Sequence, residues 1–154
     1  MKRILILNDI RSVINVGAIF RTADVVGITK IYLTGYTPAP VDRFDRKRRD
    51  FAKAALGAEK SVSWEQREDV NELIAELKKD GCQIVALEQS EKSVDYKTVE
   101  VTDNTAVIVG NEVDGVPQSI LDQCDVIAEI PMLGMKESLN VSVATGVFLF
   151  GIWG

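Results

Sequence analysis

The sequence contains no histidine, and this absence limits its chemistry more than any other feature of its composition. A general base in this protein must be Asp, Glu, Lys, Tyr or an unusually placed Arg. There are only two cysteines, Cys82 and Cys124, and they lie far apart in the chain. Because zinc sites are built mainly from cysteine and histidine, we expect no metal site. We interpret both cysteines as buried thiols in a reducing cytoplasm.

Long apolar runs are missing as well. No run reaches the roughly 18 residues that a membrane span needs, and the N-terminal residues lack the layout of a signal peptide. We therefore expect a cytoplasmic protein without membrane association. The 154 residues, 46% of them hydrophobic, predict a single domain covering residues 1–154, because the chain has no internal repeat, linker or low-complexity tract.

The familiar phosphate-binding loops are absent too. No G-x-G-x-x-G follows the first predicted strand, and no G-x-x-x-x-G-K-[ST] occurs in the chain. An ordinary dinucleotide site or P-loop is therefore not supported by the sequence.

Charge is unevenly distributed along the chain. The net charge is −5, but residues 1–60 hold twelve Lys and Arg against six Asp and Glu, whereas residues 61–154 hold six against 17. One loop-to-helix segment is strongly basic and could be either a solvated surface or a patch that contacts phosphates. Its basic residues are Arg43, Arg46, Lys47, Arg48, Arg49 and Lys53.

Short apolar runs alternate with amphipathic patterns. This alternation predicts an α/β fold with a mainly parallel sheet flanked by helices. The predicted strands are Arg3–Leu7, Thr29–Thr34, Ser61–Trp64, Gln83–Glu88, Thr105–Gly110 and Val126–Ile130. The predicted helices are Asn15–Val26, Asp50–Leu56, Gln66–Lys79, Pro117–Gln123 and Ser138–Ile152.

Polar and glycine-containing clusters follow three of these strands. We call them the first segment (Asn8–Arg21), the second segment (Gly110–Gly115) and the third segment (Ile130–Ala144). Ligands gather beyond the carboxyl ends of the strands in open parallel sheets, so the three segments are candidates for one site.

Each segment also has a simpler structural explanation. Asn15 would cap a helix and Arg21 would pair with Asp24, or Arg21 could instead grip a phosphate. In the second segment, glycines would allow close backbone approach to a ligand and Glu112 could orient a cation or a hydroxyl, unless the segment is a plain turn. In the third segment, Ser138 and Asn140 sit where a helix would begin.

Taken together, the three segments carry a specific pattern. It reads Asn-x-Gly-Ala-x-x-Arg-Thr-Ala-Asp from residue 15, Val-Gly-Asn-Glu-x-x-Gly-Val from 109, and Ile-Pro-Met-x-Gly-Met-x-x-Ser-Leu-Asn-Val-Ser-Val-Ala from 130. The pattern resembles the three motifs of the SPOUT superfamily, in particular the SpoU (TrmH-like) RNA ribose 2′-O-methyltransferases. The order and spacing agree from Ile4 to Phe150, and Leu56–Glu59 also looks like members of this family.

The resemblance implies a fold and a cofactor. The sheet would carry a C-terminal trefoil knot that holds S-adenosyl-L-methionine in a bent shape, largely through backbone contacts. Members act as homodimers, with the first motif completing the active site across the interface. The matching cofactor-binding residues would be Leu87, Gly110, Asn111, Gly115, Ile130, Met132 and Leu139.

The resemblance also implies a reaction, methyl transfer to a ribose 2′-hydroxyl of tRNA or rRNA. The matching catalytic residues would be Asn15, Arg21, Glu112, Ser138 and Asn140. In the family, the arginine that matches Arg21 is the proposed base. Because arginine is normally fully protonated in proteins, Arg21 could instead orient the hydroxyl and a phosphate while the proton leaves by another route.

Many SpoU-type enzymes carry terminal extensions that grip RNA, and this chain starts at its first strand and stops just past its last helix. We therefore expect RNA to bind on the basic residues from Arg43 to Lys53. Two alternatives remain open, a non-catalytic RNA-binding or assembly protein with the same scaffold, and a nucleotide-binding module unrelated to RNA.

Overall fold

The computed structural model describes all residues, Met1–Gly154, and a single seven-stranded sheet forms its centre. Every neighbouring pair of strands runs parallel. In chain order the strands are β1 (Lys2–Asn8), β2 (Lys30–Thr34), β3 (Trp64–Arg67), β4 (Gln83–Leu87), β5 (Val94–Asp95), β6 (Asn104–Val109) and β7 (Val126–Glu129). Across the sheet their order is β3-β2-β1-β6-β4-β7-β5.

Six α-helices and one 3₁₀ helix connect the strands. They are α1 (Val13–Val26), α2 (Arg49–Ala55), α3 (Ala58–Ser61), α4 (Val70–Lys79), the 3₁₀ helix Tyr96–Thr98, α5 (Gln118–Leu121) and α6 (Val141–Trp153). None of the helices is long and apolar enough to cross a membrane.

Helices cover both faces of the sheet, so the strands are buried on both sides. Along β1, Leu5 and Leu7 belong to the core shared with α1, α2 and α6. The intervening Ile4 and Ile6 belong to a second core shared with α4 and α5. Successive side chains of a strand point to opposite faces, which explains why the strands read as continuous apolar runs. The predicted parallel α/β fold is confirmed.

Two neighbouring predictions were wrong between residues 58 and 69. Ser61–Trp64 is not a strand, since Ser61 ends α3 and the strand runs instead from Trp64 to Arg67. Helix α4 begins only at Val70, because the carboxylate of Asp69 accepts hydrogen bonds from the N–H groups of its first turn. Strand β3 is at the edge of the sheet and pairs only with β2. Its residues are polar, and in the sequence they look like the solvent-facing side of a helix.

Two helices begin at other residues than predicted. Helix α1 is capped by Ser12, whose hydroxyl accepts a hydrogen bond from the N–H of Asn15, so Asn15 lies inside the first turn rather than at the cap. Helix α6 begins after Asn140, whose side chain accepts from the N–H groups of Ser142 and Val143. Ser138 therefore lies in the preceding loop, and the predicted cap at Asn140 is correct.

The two thiols are free. Cys82 is buried and burial raises the pKa of its thiol, while Cys124 is only half-buried, contrary to the prediction. Burial still raises the pKa of the Cys124 thiol to about 11. Because the thiolate is the reactive form, a raised pKa lowers the reactivity expected of both thiols near neutral pH.

Candidate functional site

One cleft lies beyond the carboxyl ends of β4, β6 and β7, and its volume is about 230 Å³. It collects residues from the second and third segments and from the end of β4, as the rule for parallel sheets predicts. All seven residues predicted to bind a cofactor line it, namely Leu87, Gly110, Asn111, Gly115, Ile130, Met132 and Leu139. Two of the predicted catalytic residues, Glu112 and Ser138, line it as well.

The third segment offers unpaired backbone groups to this cleft. Residues 130–139 make no backbone–backbone hydrogen bond, although Ile130, Met132 and Leu139 line the cleft. The loop is instead held by the side chain of Gln89, whose Nε2 donates to the carbonyl of Glu137 at 3.0 Å. Free N–H and C=O groups need partners, so this loop can hydrogen-bond a polar ligand through its backbone.

The second segment is a turn organised by Asn111, which is buried. Its Oδ1 accepts hydrogen bonds from the N–H groups of Val113 (2.8 Å) and Asp114 (2.9 Å). Its Nδ2 donates to the carbonyl of Asp9 (2.9 Å) and to the hydroxyl of Tyr36 (2.6 Å). Since the side-chain amide is fully used inside the protein, Asn111 can meet a ligand only through its backbone or its apolar surface.

The glycines of the second segment allow close packing against neighbouring parts of the protein. A Cβ on Gly110 would lie 2.5 Å from the backbone of Gly115, and Gly115 has a φ of +70°. A Cβ on Gly115 would in turn collide with the carboxylate of Glu88. Tight packing of the turn therefore explains both glycines within the protein itself, and their close approach to a ligand stays a prediction.

Glu112 connects the second segment to the first. Its Oε1 accepts a hydrogen bond from the N–H of Arg11 and its Oε2 accepts one from the N–H of Ser12, both at 3.1 Å. The carboxylate thereby sits at the N-terminus of α1, where the helix dipole favours a negative charge. Glu112 thus fixes the start of the helix that carries Asn15 and Arg21.

The first and third segments meet at two asparagines. Asn140 Nδ2 lies 3.4 Å from Asn15 Oδ1, and Asn140 Oδ1 accepts from the N–H and the hydroxyl of Ser142. Further along the two helices, Thr22 lies against Gly146. Helices α1 and α6 therefore lie side by side, and both asparagines stand at one end of the pair.

Arg21 stands apart from the cleft. Its side chain is exposed and makes neither an ion pair nor a hydrogen bond, so the expected pairing with Asp24 is not formed. Helical spacing places it on one stripe of α1 with the exposed Ile14 and Val25. Within one chain, the structure does not bring Arg21 to the residues that line the cleft.

The six basic residues lie in a small hairpin and the helix that follows it. Val41 pairs with Lys47 across the hairpin, and Arg49 and Lys53 extend along α2. Two of the six make ion pairs within the chain, Arg46 with Asp42 (3.0 Å) and Arg48 with Asp50 (3.4 Å). Arg43, Lys47, Arg49 and Lys53 carry exposed charges without an ion pair.

Two polar residues of the cleft, Glu88 and Gln89, are not among the predicted site residues. Both follow β4 directly, so the rule used for the three segments would have identified them. Burial raises the pKa of the Glu88 carboxyl, which is countered in part by a hydrogen bond from the N–H of Val116. No three His, Cys, Asp or Glu side chains come together as they would around a metal ion.

The lining of the cleft is mixed. Apolar side chains such as Val109, Ile130 and Leu139 line it together with the carboxylates of Glu88 and Glu112. Small-molecule sites combine an apolar surface with a few placed polar groups, and the carboxylates favour a ligand with positive charge. The cleft therefore suits a small cationic molecule that has both an apolar part and groups that hydrogen-bond to backbone.

Comparison with known proteins finds relatives along almost the whole chain. A protein of Escherichia coli (strain K12) named tRNA (guanosine(18)-2′-O)-methyltransferase is 36% identical over 136 residues, 88% of this chain and 56% of that protein. A protein of Neisseria meningitidis named 23S rRNA (guanosine-2′-O-)-methyltransferase RlmB is 34% identical over 146 residues, 95% of this chain and 56% of that protein. The chain thus spans about half the length of these relatives.

A solved structure and a family profile agree with these relatives. The structure titled AdoMet bound rRNA methyltransferase from Sinorhizobium meliloti superposes with a TM-score of 0.87 at 29% identity, covering 97% of this chain and 55% of that one. The profile described as SpoU rRNA Methylase family matches residues 2–150. The chain therefore belongs to the SpoU rRNA methylase family.

Proposed function

We propose that the protein is an S-adenosyl-L-methionine-dependent RNA methyltransferase that methylates a ribose 2′-hydroxyl of tRNA or rRNA. The observation that carries the proposal is the cleft beyond β4, β6 and β7, which is lined by Glu88 and Glu112 and by four residues of the loop 130–139 in the third segment, Ile130, Met132, Ser138 and Leu139. The relatives named as tRNA and rRNA 2′-O-methyltransferases, and the structural relative titled as AdoMet bound, support the same function.

The residues of the cleft fit this cofactor. The backbone groups of Ile130, Met132 and Leu139 would hydrogen-bond its polar ends, and the neighbouring apolar side chains would enclose its adenine and methionine parts. The carboxylates of Glu88 and Glu112 would face its positive charges. When bound, S-adenosyl-L-methionine supplies a methyl group on a sulfonium, so transfer to the ribose oxygen leaves a neutral thioether and releases the hydroxyl proton.

The protein mainly has to align the ribose and handle one proton. Arg21 would hold the 2′-hydroxyl and a neighbouring phosphate through its guanidinium, whose fork of N–H donors matches a phosphate. Asn15 and Asn140, 3.4 Å apart, would fix the ribose beside it, and Ser138 on the cleft edge would contact the same nucleotide. Glu112 would act by holding the start of α1 in place.

The proposed active site needs a second copy of the chain. Arg21 does not reach the cleft of its own chain, and the stripe of α1 on which it lies is otherwise apolar and exposed at Ile14 and Val25. The adjacent helix α6 exposes Val143, Val147 and Phe150 at helical spacing. We propose that this α1–α6 face is a homodimer interface that brings Arg21 of one protomer to the cleft of its partner.

We further propose that residues 1–154 form one catalytic domain with a C-terminal trefoil knot. The support is the position of α6, whose Phe148 lies 6.1 Å from Tyr96 between ring centroids and whose Gly151 touches the same ring. The C-terminal helix therefore packs against the connection between β4 and β6, while the loop before it is held by Gln89 of that connection. A crystal structure traced from end to end would decide whether the chain is knotted.

The basic hairpin and α2 are the proposed RNA surface. Arg43, Lys47, Arg49 and Lys53 have no ion-pair partner and can neutralise phosphates. Dimerisation would present this surface twice, so RNA would meet a local positive charge on a protein whose net charge is −5.

Two measurements test the function. Calorimetric titration with S-adenosyl-L-methionine should detect binding to the purified protein, and transfer of a labelled methyl group to total tRNA or rRNA should follow. The label should protect one phosphodiester from alkaline hydrolysis, because that cleavage needs a free 2′-hydroxyl. Binding without transfer would favour a non-catalytic RNA-binding protein, and absence of cofactor binding would overturn the proposal.

A further inference from the structure

An exposed phenylalanine stands at the tip of the basic hairpin. Phe44 is 62% exposed, and the guanidinium carbons of Arg43 and Arg46 each lie 4.9 Å from the centroid of its ring. We call these three residues the Arg–Phe–Arg platform. None of them lines the cleft, so the platform is separate from the proposed cofactor site.

The hairpin holds this ring in a defined position. The carboxylate of Asp42 accepts hydrogen bonds from the N–H of Phe44 (2.8 Å), the N–H of Arg46 (3.0 Å) and the Nε of Arg46 (3.0 Å). The N–H of Asp42 donates to the carbonyl of Arg46 at 2.9 Å and so closes the turn. The turn is therefore built around Asp42, and the ring of Phe44 contributes no burial to the core that would explain it.

The charge around the ring points to RNA as its partner. Residues 42–53 contain six Lys and Arg against three Asp, a local excess of positive charge in an acidic protein. Guanidinium groups pair with phosphates, and both aromatic rings and guanidinium planes stack on bases. A ring that lies against two guanidinium groups offers a base a stacking surface directly beside groups that pair with phosphates, a combination that suits RNA better than an acidic protein segment.

We propose that the Arg–Phe–Arg platform binds an unpaired nucleotide of the RNA substrate. The base stacks on the platform formed by the ring of Phe44 and the guanidinium planes that lie over it. The N–H groups of Arg43 and Arg46 contact the neighbouring phosphates. Bases in a duplex are already stacked on their neighbours and cannot reach the ring. The platform therefore selects RNA with a single-stranded loop, and it recognises a nucleotide other than the one that is methylated.

The test compares two RNAs without S-adenosyl-L-methionine, a hairpin with a single-stranded loop and a fully paired duplex of similar length. Fluorescence anisotropy should show that Phe44→Ala and Phe44→Leu weaken binding of the hairpin roughly tenfold and leave the duplex unaffected, whereas Phe44→Trp keeps full affinity. The matched control is Lys47→Gln, an exposed cation of the same hairpin, which should weaken both RNAs equally and reduce the salt dependence by about one phosphate contact.

Two results would contradict the proposal that the platform binds an unpaired nucleotide. Hairpin affinity that is unchanged in Phe44→Ala, or a loss in Phe44→Ala that is equal for hairpin and duplex, would mean that the ring does not stack on a base. Thermal unfolding of each variant confirms that the fold is intact. The inference rests on the proposed RNA substrate, yet it is distinguishable from it, because absence of methyl transfer overturns the proposed function while the two anisotropy titrations decide the platform.

Discussion

Arg21 has no partner within its own chain, which makes its proposed role testable by substitution. We expect Arg21→Ala to lower the rate of methyl transfer by roughly 100-fold or more, because it removes the group that positions the hydroxyl and its phosphate. Affinity for S-adenosyl-L-methionine, measured by calorimetry, should not change, since the proposed partners of Arg21 are the ribose hydroxyl and a phosphate of the RNA. Arg21→Lys keeps the positive charge but not the forked arrangement of N–H donors, so it should recover little of the lost activity. Full activity of Arg21→Ala would remove this residue from the mechanism.

Gln89 holds residues 130–139, the proposed cofactor loop, through its hydrogen bond to the carbonyl of Glu137, and we expect it to position this loop for S-adenosyl-L-methionine. We expect Gln89→Ala to weaken S-adenosyl-L-methionine binding about two- to tenfold, the value of one hydrogen bond. Trypsin should cleave the loop after the exposed Lys136 faster in the free protein, because the loop opens more often. The matched control is Gln118→Ala, whose amide hydrogen-bonds Asp122 away from this cleft. Equal rates of cleavage in both variants would contradict the assignment.

We expect Glu88 to make ligand binding in the cleft depend on pH. Burial raises the pKa of its carboxyl, so the group keeps its proton to a higher pH than an exposed glutamate does. Affinity for the cationic cofactor should therefore rise with pH through this raised pKa, and Glu88→Gln should flatten the rise. Glu91→Gln, an exposed carboxylate outside the cleft, should keep the wild-type profile. Calorimetric titrations between about pH 4.5 and 7.5 would measure how the affinity depends on pH.

At the scale of single residues, the sequence predicted which residues line the cleft better than it predicted what their side chains contact. The seven proposed cofactor-binding residues, which the resemblance to the family implied, all line one cleft. The use of each side chain depends on contacts between distant parts of the chain. The Nδ2 of Asn111 donates its hydrogen bonds to Asp9 and Tyr36. The N–H group of Ser12, a partner of Glu112, lies 100 residues away in sequence. Such contacts leave no local pattern.

Among the secondary-structure elements, the close approach of α1 and α2 depends on Gly17. A Cβ on Gly17 would lie 2.6 Å from Ala54 Cβ and 3.1 Å from the carbonyl oxygen of Phe51. We expect Gly17→Ala to lower the free energy of unfolding by about 1–3 kcal/mol, although alanine favours a helix over glycine. Adding Ala54→Gly should recover much of that loss by restoring the space. Urea denaturation measures both variants.

The control lies on the neighbouring helix. A Cβ on Gly146 of α6 would lie 3.6 Å from Thr22 Cγ2, an ordinary contact, so Gly146→Ala should be neutral or stabilising. If Gly17→Ala were equally harmless, close packing would not be the reason for the glycine. The sequence suggested a helix at both positions but could not distinguish these two glycines, because their spacing from another helix is a tertiary property.

The predicted boundaries of helices and strands were wrong where polar residues form an edge strand. Glu65 and Gln66 of β3 look like the start of a solvated helix, and only their pairing with Tyr32 and Leu33 makes them a strand. Strand β5, of two residues, carries no detectable periodicity at all. By contrast, β1 and β6 were predicted within a residue at each end, because both faces of the sheet centre are covered and their apolar runs are unbroken.

At the scale of the whole molecule, the proposed active site is divided between two regions that one chain keeps apart. The cleft gathers the ends of β4, β6 and β7, while Arg21 lies on the apolar α1–α6 face. If that face pairs two protomers, Val147→Asp should convert the protein to a monomer in sedimentation experiments, because a carboxylate would be buried at the interface. The monomer should still bind S-adenosyl-L-methionine and should transfer no methyl group.

Mixing two inactive variants tests the same division directly. Arg21→Ala keeps an intact cleft, and Leu139→Arg, at an exposed position of the cofactor loop, keeps Arg21 but places a cation where a cationic cofactor would bind. When the two are unfolded together and refolded, half of the dimers carry one of each chain. If Arg21 serves the cleft of its partner, each mixed dimer has one complete site, and about a quarter of wild-type activity should return. If Arg21 serves the cleft of its own chain, no complete site can form and the mixture stays inactive.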